Sequence, residues 1–259
     1  MNNDIENRIE RILIALRSDG QSTLVLRSLL GLAKKLKADV CGLFVEDADL
    51  LHVANMPFSR EIVFPTATVR NLDSVAMLRQ IRRHADNLRQ VMINFAQISN
   101  VTCTFRTREG SVIESALTEA KDSQLIILLP DKYVSMNKIK ADRLELIINP
   151  AVFFYDESAQ SKKALHVIRS LIEDGELHNL KVFTSTTDAQ FSVQQYLLPF
   201  SVQVDYQNID QYSVDNIITR LARQKPGLMI LPLEQELTTQ GREIGRLLDQ
   251  LGCILVLVR

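Results

Sequence analysis

Residues 111–130, SVIESALTEAKDSQLIILLP, and residues 213–232, SVDNIITRLARQKPGLMILP, follow one plan. Each reads as an amphipathic helix that leads into a short apolar strand, and the two align without a gap at an offset of 102 positions. Ser111 and Val112 match Ser213 and Val214, and Leu128, Leu129 and Pro130 match Ile230, Leu231 and Pro232. Working outward, the same order of elements precedes both. RILIAL is a first strand, Ser22 stands as helix cap, and Leu26, Leu29, Leu30, Ala33 and Leu36 line one helical face. VCGLFV and VTCTF are the next strands, separated by a long helix marked by Leu72, Val75, Leu78, Ile81, Ala85, Leu88, Met92 and Phe95. The later half runs AVFFYDES, a helix with Leu165, Ile168, Leu171 and Ile172 inward, LKVFTS, VQVDY, SVDNIITRLARQ, GLMILP, GREIGRLLDQL and CILVLVR.

Near-continuous apolar strands separated by helices predict an α/β fold with parallel sheets covered on both faces. The repeated order predicts an internal duplication, with domains at residues 1–148 and 149–259. The first copy is longer because of an insertion, residues 47–68, which has no clean period and reads as a loop or excursion. Met56, Phe58, Ile62, Val63 and Phe64 make it more apolar than a solvent loop should be, so it is expected to act as a lid or docking element.

The 259 residues are 46% apolar and 24% charged, which excludes disordered, collagen-like and disulfide-scaffold classes. Thirty basic and 31 acidic residues leave no overall electrostatic case for nucleic acid or an anionic membrane. The first residues mix acids and bases and do not fit a secretory signal, and no apolar run is long enough to span a bilayer; a cytoplasmic protein is expected. Cys41, Cys103 and Cys253 lie far apart in apolar stretches and read as buried structural thiols. The four His are isolated, so no metal site is expected, and no nucleophile elbow or acid–base pair marks a catalytic centre.

The strand–turn–helix units VFFYDESAQSKKAL and RILIALRSDGQSTLVL, together with GREIGRLLDQLGCILVLVR, resemble the universal stress protein family in its tandem two-domain form. That resemblance implies two Rossmann-like domains of the adenine nucleotide alpha hydrolase type, with strand order 3-2-1-4-5. It also implies a nucleotide site at an Asp ending the first strand and at a glycine loop after the fourth. Asp156 and Gly241 match in the second half. Arg242 replaces the family's hydroxyl residue, LPLEQELTTQ lacks the earlier glycines, Arg17 replaces the Asp in the first half, and DKYVSMNKIKADR has no glycine. The degenerate loops argue against ATP in both halves, and no cofactor is expected.

Arg17, Ser18, Asp156, Ser158, Gly241 and Arg242 are the candidate ligand-binding residues, grouped in one crevice that would take a small anion or nucleotide weakly or not at all. Asp156 reads equally as a helix cap, with Ser158 the better cap candidate. Eight Arg and three acids between Arg60 and Arg108 form a basic region of about +5. Phe58, Arg60, Arg79, Arg82 and Arg83 are its candidate surface for a protein partner. The expected role is a non-catalytic sensor or regulatory protein, with a ligand-free interaction module acting through residues 47–98 as the alternative and an ATP-hydrolysing stress protein ranked last. Finally, LIILL and CILVLV would each leave an apolar sheet edge. They are expected to cover each other within the chain, as a pseudo-dimer, or to be covered by a second subunit.

Overall fold

The computed structural model describes residues 8–18, 23–56, 58–63, 67–130, 148–209, 213–233 and 241–259. The first half gives β1 (Arg11–Arg17), α1 (Thr23–Leu36), β2 (Asp39–Asp47), α2 (Ala48–Asn55), β3 (Arg60–Val63), β4 (Thr68–Asn71), α3 (Ser74–Ser99), β5 (Cys103–Gly110), α4 (Val112–Glu119) and β6 (Leu125–Leu128). The second gives β7 (Ala151–Tyr155), α5 (Ala159–Glu173), β8 (Asn179–Thr184), α6 (Thr187–Leu197), β9 (Gln203–Asn208), α7 (Val214–Leu221), β10 (Leu228–Pro232), α8 (Gly241–Leu251) and β11 (Ile254–Val258).

Nine of these strands form one sheet in the order β5-β2-β1-β6-β11-β10-β7-β8-β9. Within each half the strands are parallel, as βαβ units require. The halves meet where β6 pairs with β11 antiparallel, Leu128 opposite Leu255 and Leu125 opposite Val258. The two apolar edges therefore cover each other. AVFFY is β7, paired on both sides by β8 and β10, so it serves the second half alone. Among the described residues the first half has no fifth strand of its own; β11 stands in that place for both halves.

Side-chain alternation divides the core by sheet face and not by chain half. Leu125 and Ile127 join one cluster with Leu30, Leu88, Phe153, Ile168 and Val193, under α1, α3, α5 and α6. Ile126 and Leu128 join the other with Ala116, Ile217, Ile244 and Leu247, under α4, α7 and α8. Polar ties reinforce the seam. The Arg259 amide donates to the Gln124 carbonyl at 2.8 Å, its guanidinium to the Ala120 carbonyl at 2.6 Å, and Lys35 reaches Asp174 at 2.8 Å. The outer strands β5 and β9 carry Arg106, Arg108, Glu109, Asp205 and Gln207, polar residues that discourage further pairing.

The structure departs from the sequence reading at the insertion and along α3, and it adds α6, which the sequence reading lacked. Of the two readings of the 47–68 stretch, loop or excursion, it is the excursion: it contains α2 and the antiparallel hairpin β3–β4, which runs on to Asn71. Val75 is 54% exposed, and the buried ridge of α3 is Ile81, Ala85, Leu88 and Met92. That ridge lies close on the sheet because position 42 is glycine. A Cβ there would collide with Sδ of Met92. No helix among the described residues is long and apolar enough to cross a membrane.

Ile127 sits at the seam with no exposed surface. Ile127→Ala should cost about 2–5 kcal/mol in denaturant melting. Fluorescent labels placed in either half should report the same transition midpoint. Two separated transitions in the parent protein would contradict a core shared across the halves.

Candidate functional site

Because β6 and β11 are antiparallel, β1 and β7 run in opposite directions, and their C-terminal ends lie at opposite edges of the sheet. Arg17 and Ser18 end β1 at one edge; Asp156 and Ser158 follow β7 at the other. Four strand steps separate β1 from β7, about 19 Å at ~4.8 Å per step. The single crevice expected from the sequence does not form. Ser18 is buried, and its hydroxyl accepts from the Asp47 amide at 3.4 Å, tying the end of β1 to that of β2.

At the other edge, the polar groups close on one another. Asp156 Oδ1 accepts from the Ser158 amide at 3.0 Å, from the Ser158 hydroxyl at 2.5 Å and from the Ser161 hydroxyl. Ser158 is the N-cap of α5 and accepts from the Ser161 amide at 3.1 Å, while the Asp156 amide donates to Ser161 Oγ at 3.2 Å. This is capping chemistry: a carboxylate and two hydroxyls satisfy the open N–H groups of a helix start. Burial, with Glu157 and Asp156 adding to it, raises the pKa of the adjoining Tyr155 phenol, which therefore stays neutral. Gly241 opens α8 and packs against α4, where an added Cβ would lie 3.7 Å from Ile113. Arg242 is exposed beside it. The loops LPLEQELTTQ and DKYVSMNKIKADR fall largely outside the described residues, as does the cap residue Ser22.

The insertion presents a different surface. Ser59 anchors it, donating its hydroxyl to the Val53 carbonyl at 2.6 Å and accepting from the Leu72 amide at 2.9 Å. The hairpin then leaves the body, with Ile62 opposite Val69 and Glu61 opposite Arg70. Ile62 is 59% exposed and Val69 54%, and Phe58 at the hairpin's foot is 94% exposed. Phe58 also holds a positive φ of 72°, a conformation that costs a bulky residue about 1–3 kcal/mol. The fold gains no burial from it in return.

The arginines sort by partner. Arg70 is bonded to Glu61; Arg89 pairs with Asp86 at 3.2 Å and lies over the Phe105 ring at 5.0 Å. Arg106 and Arg108 both hold Glu119, at 2.8 and 2.7 Å. Arg60, Arg79, Arg82 and Arg83 are exposed and make no ion pair among the described residues. Three- and four-residue spacing sets Val75, Arg79, Arg82 and Arg83 on the side of α3 away from its buried ridge. A small cleft of about 100 Å³ lies beneath the paired arginines, lined by Arg11, Cys41, Arg106 and Glu119 among others. Its charged groups already engage one another, Arg11 reaching Asp122 at 3.8 Å. Cys41 and Cys253 are buried and Cys103 is half-buried; desolvation pushes the Cys253 thiol up to about 12 and that of Cys103 to about 11. No group of His, Cys, Asp and Glu among the described residues has the arrangement of a metal site.

No family model matches the sequence, and no curated protein matches it. Solved structures do. A universal stress protein from Archaeoglobus fulgidus superposes with a TM-score of 0.50 at 10% identity, over 98% of this chain and 97% of that one. A protein of unknown function from Pseudomonas aeruginosa gives a TM-score of 0.44 at 14% identity, over 98% and 94%. The chain has the α/β, Rossmann-like fold of universal stress proteins; at these identities the likeness speaks for the fold alone.

Three outcomes follow from this geometry. Ser158→Ala should cost about 1 kcal/mol in thermal or chemical melting, as loss of an N-cap does, and Asp156→Ala more, since two hydroxyls lose their acceptor. Phe58→Gly should melt no lower than the parent protein, because glycine accepts the positive φ and no packed contact is lost. The hydrogen bond from Arg106, joined by Arg108, holds the Glu119 carboxyl below its ordinary value. Its contribution to stability is thus complete above the unfolded-state carboxylate pKa and fades as pH falls through the lower folded one. Acid titration of Glu119→Gln from neutral pH downward should show a shallower loss of stability than the parent.

Proposed function

We propose that this chain is a non-catalytic regulatory protein of the cytoplasm, built on the universal stress protein fold, that acts by engaging another protein through residues 47–98. The observation that carries the reading is the exposure of Phe58, Ile62 and Val69 together with that of Arg60, Arg79, Arg82 and Arg83, which make no ion pair among the described residues. An aromatic held in solvent at a backbone cost, next to an aliphatic cross-strand pair, has no role in folding that would explain it. The alternative, a sensor for a small anion or nucleotide, loses support where Asp156 caps α5 and where Arg17 lies at the opposite sheet edge.

Thermal melting in the presence of ATP, AMP or inorganic phosphate separates the two. A nucleotide present at 100 times its Kd would stabilise the protein by about 2.7 kcal/mol. The expected result is no upward shift beyond that of a chloride control at matched ionic strength. A specific ATP-dependent rise that disappears in Asp156→Asn would overturn the interaction reading in favour of the nucleotide sensor.

A further inference from the structure

The hairpin β3–β4 is two-stranded, and no third strand joins it among the described residues. Isolated two-stranded hairpins are marginal in water; a third strand or a packed face normally completes them. Here the Ile62–Val69 pair lies exposed, and by strand alternation Arg60 falls on the same face. The acids of this stretch are already engaged, Glu61 by Arg70, Asp73 as N-cap of α3, accepting from the Ala76 amide at 3.0 Å, and Asp86, one turn from Arg82 and Arg83, by Arg89 at 3.2 Å. What remains toward solvent is an exposed aliphatic pair on a two-stranded hairpin, with Arg60 on the same face and Arg79, Arg82 and Arg83 on the helix that follows.

Resting on the interaction reading above, we infer that the partner presents an extended acidic segment that adds to the hairpin as a further strand. Its β-branched residues would cover Ile62 and Val69, and its carboxylates would meet Arg60, Arg79, Arg82 and Arg83. Main-chain hydrogen bonds supply affinity in this mode, and the side chains supply selectivity. A second copy of the chain fits poorly, because a two-fold contact sets each patch against itself and the arginines would face arginines. A lipid surface fits poorly as well, since hydrocarbon cannot satisfy the N–H and C=O groups along the hairpin edges.

The test is selection of random linear peptides displayed against the full-length chain, followed by binding measurements on synthetic copies of the enriched sequences. Enrichment of acidic sequences with alternating β-branched residues is expected. Their affinity should fall about tenfold or more, at least 1.4 kcal/mol, for Ile62→Glu/Val69→Glu and, separately, for Arg79→Glu/Arg82→Glu/Arg83→Glu. Placing proline at successive peptide positions should abolish binding at alternate ones, where the amide would pair with the hairpin. All substituted side chains are exposed, and circular dichroism and melting check that the variants fold. Peptides that need the arginines but tolerate proline throughout would overturn strand addition and leave the interaction reading standing. Failure to obtain any peptide dependent on this face, with binding to phosphatidylserine vesicles that the same substitutions remove, would overturn both. Hairpin-dependent dimerisation in sedimentation, without peptide binding, would overturn the acidic partner.

Discussion

An edge strand of four or five fully apolar residues is unfavourable twice over, because it leaves a row of peptide groups unpaired and a strip of side chains wet. Leu125–Leu128 and Ile254–Val258 are both strands of this kind, and their antiparallel pairing removes both penalties at once. Side chains alternate across that seam, so each face of the sheet acquires a single core running through both halves. Helices from the two halves then meet above and below it, α1 near α5 on one face and α4 against α8 on the other. Neither half would keep its apolar surface covered without the other.

The same pairing fixes where function can reside. Open parallel sheets gather loops and helix N-termini at the carboxyl ends of their strands. Reversing one half sends those two gatherings to opposite ends of the strands, so residues at corresponding places in the two halves cannot cooperate in one site. The joint is also unequal, since β11 completes both halves and the first contributes no fifth strand among the described residues. Each half has accordingly used its strand ends differently. The second spends Asp156, Ser158 and Ser161 on the start of α5, and the first leaves the sheet entirely after β2 to build a helix and a hairpin.

Strands were the most legible elements, because β1, β2, β6, β7, β10 and β11 are buried on both faces and carry near-continuous apolar runs. Helix α6 escaped the sequence reading. Only Ala189, Val193 and Leu197 face the core, one residue per turn, and Phe191 and Tyr196 blur the pattern by pointing outward. The hairpin escaped for a related reason: strands of only four residues are too short to show a period. Pairing of the two apolar edges was legible as a need, though the choice between the chain's own edges and a second subunit was not. The ligand crevice failed because the residues were grouped by their equivalent places in a repeat, and sequence equivalence carries no information about relative direction.

The basic region shows how far a sum over sequence can mislead and where it regains meaning. Eight arginines against three acids between positions 60 and 108 suggest a diffuse positive field. Folding divides them. Glu119, which lies outside that stretch, takes two arginines on β5, Asp86 takes one that also covers the Phe105 ring, and Glu61 takes one across the hairpin. The four left over are not scattered. Arg60 is at the base of the hairpin and Arg79, Arg82 and Arg83 continue along α3, whose seating on the sheet depends on the glycine at 42 beneath Met92. The surplus falls at the base of the hairpin and on the helix that follows it, and the hairpin carries an aliphatic pair that the fold does not bury. Exposed apolar area and concentrated charge each oppose solubility or compactness when alone. Carried on consecutive elements, the hairpin and α3, they have a common physical resolution in contact with a surface of opposite charge and matching apolar pattern.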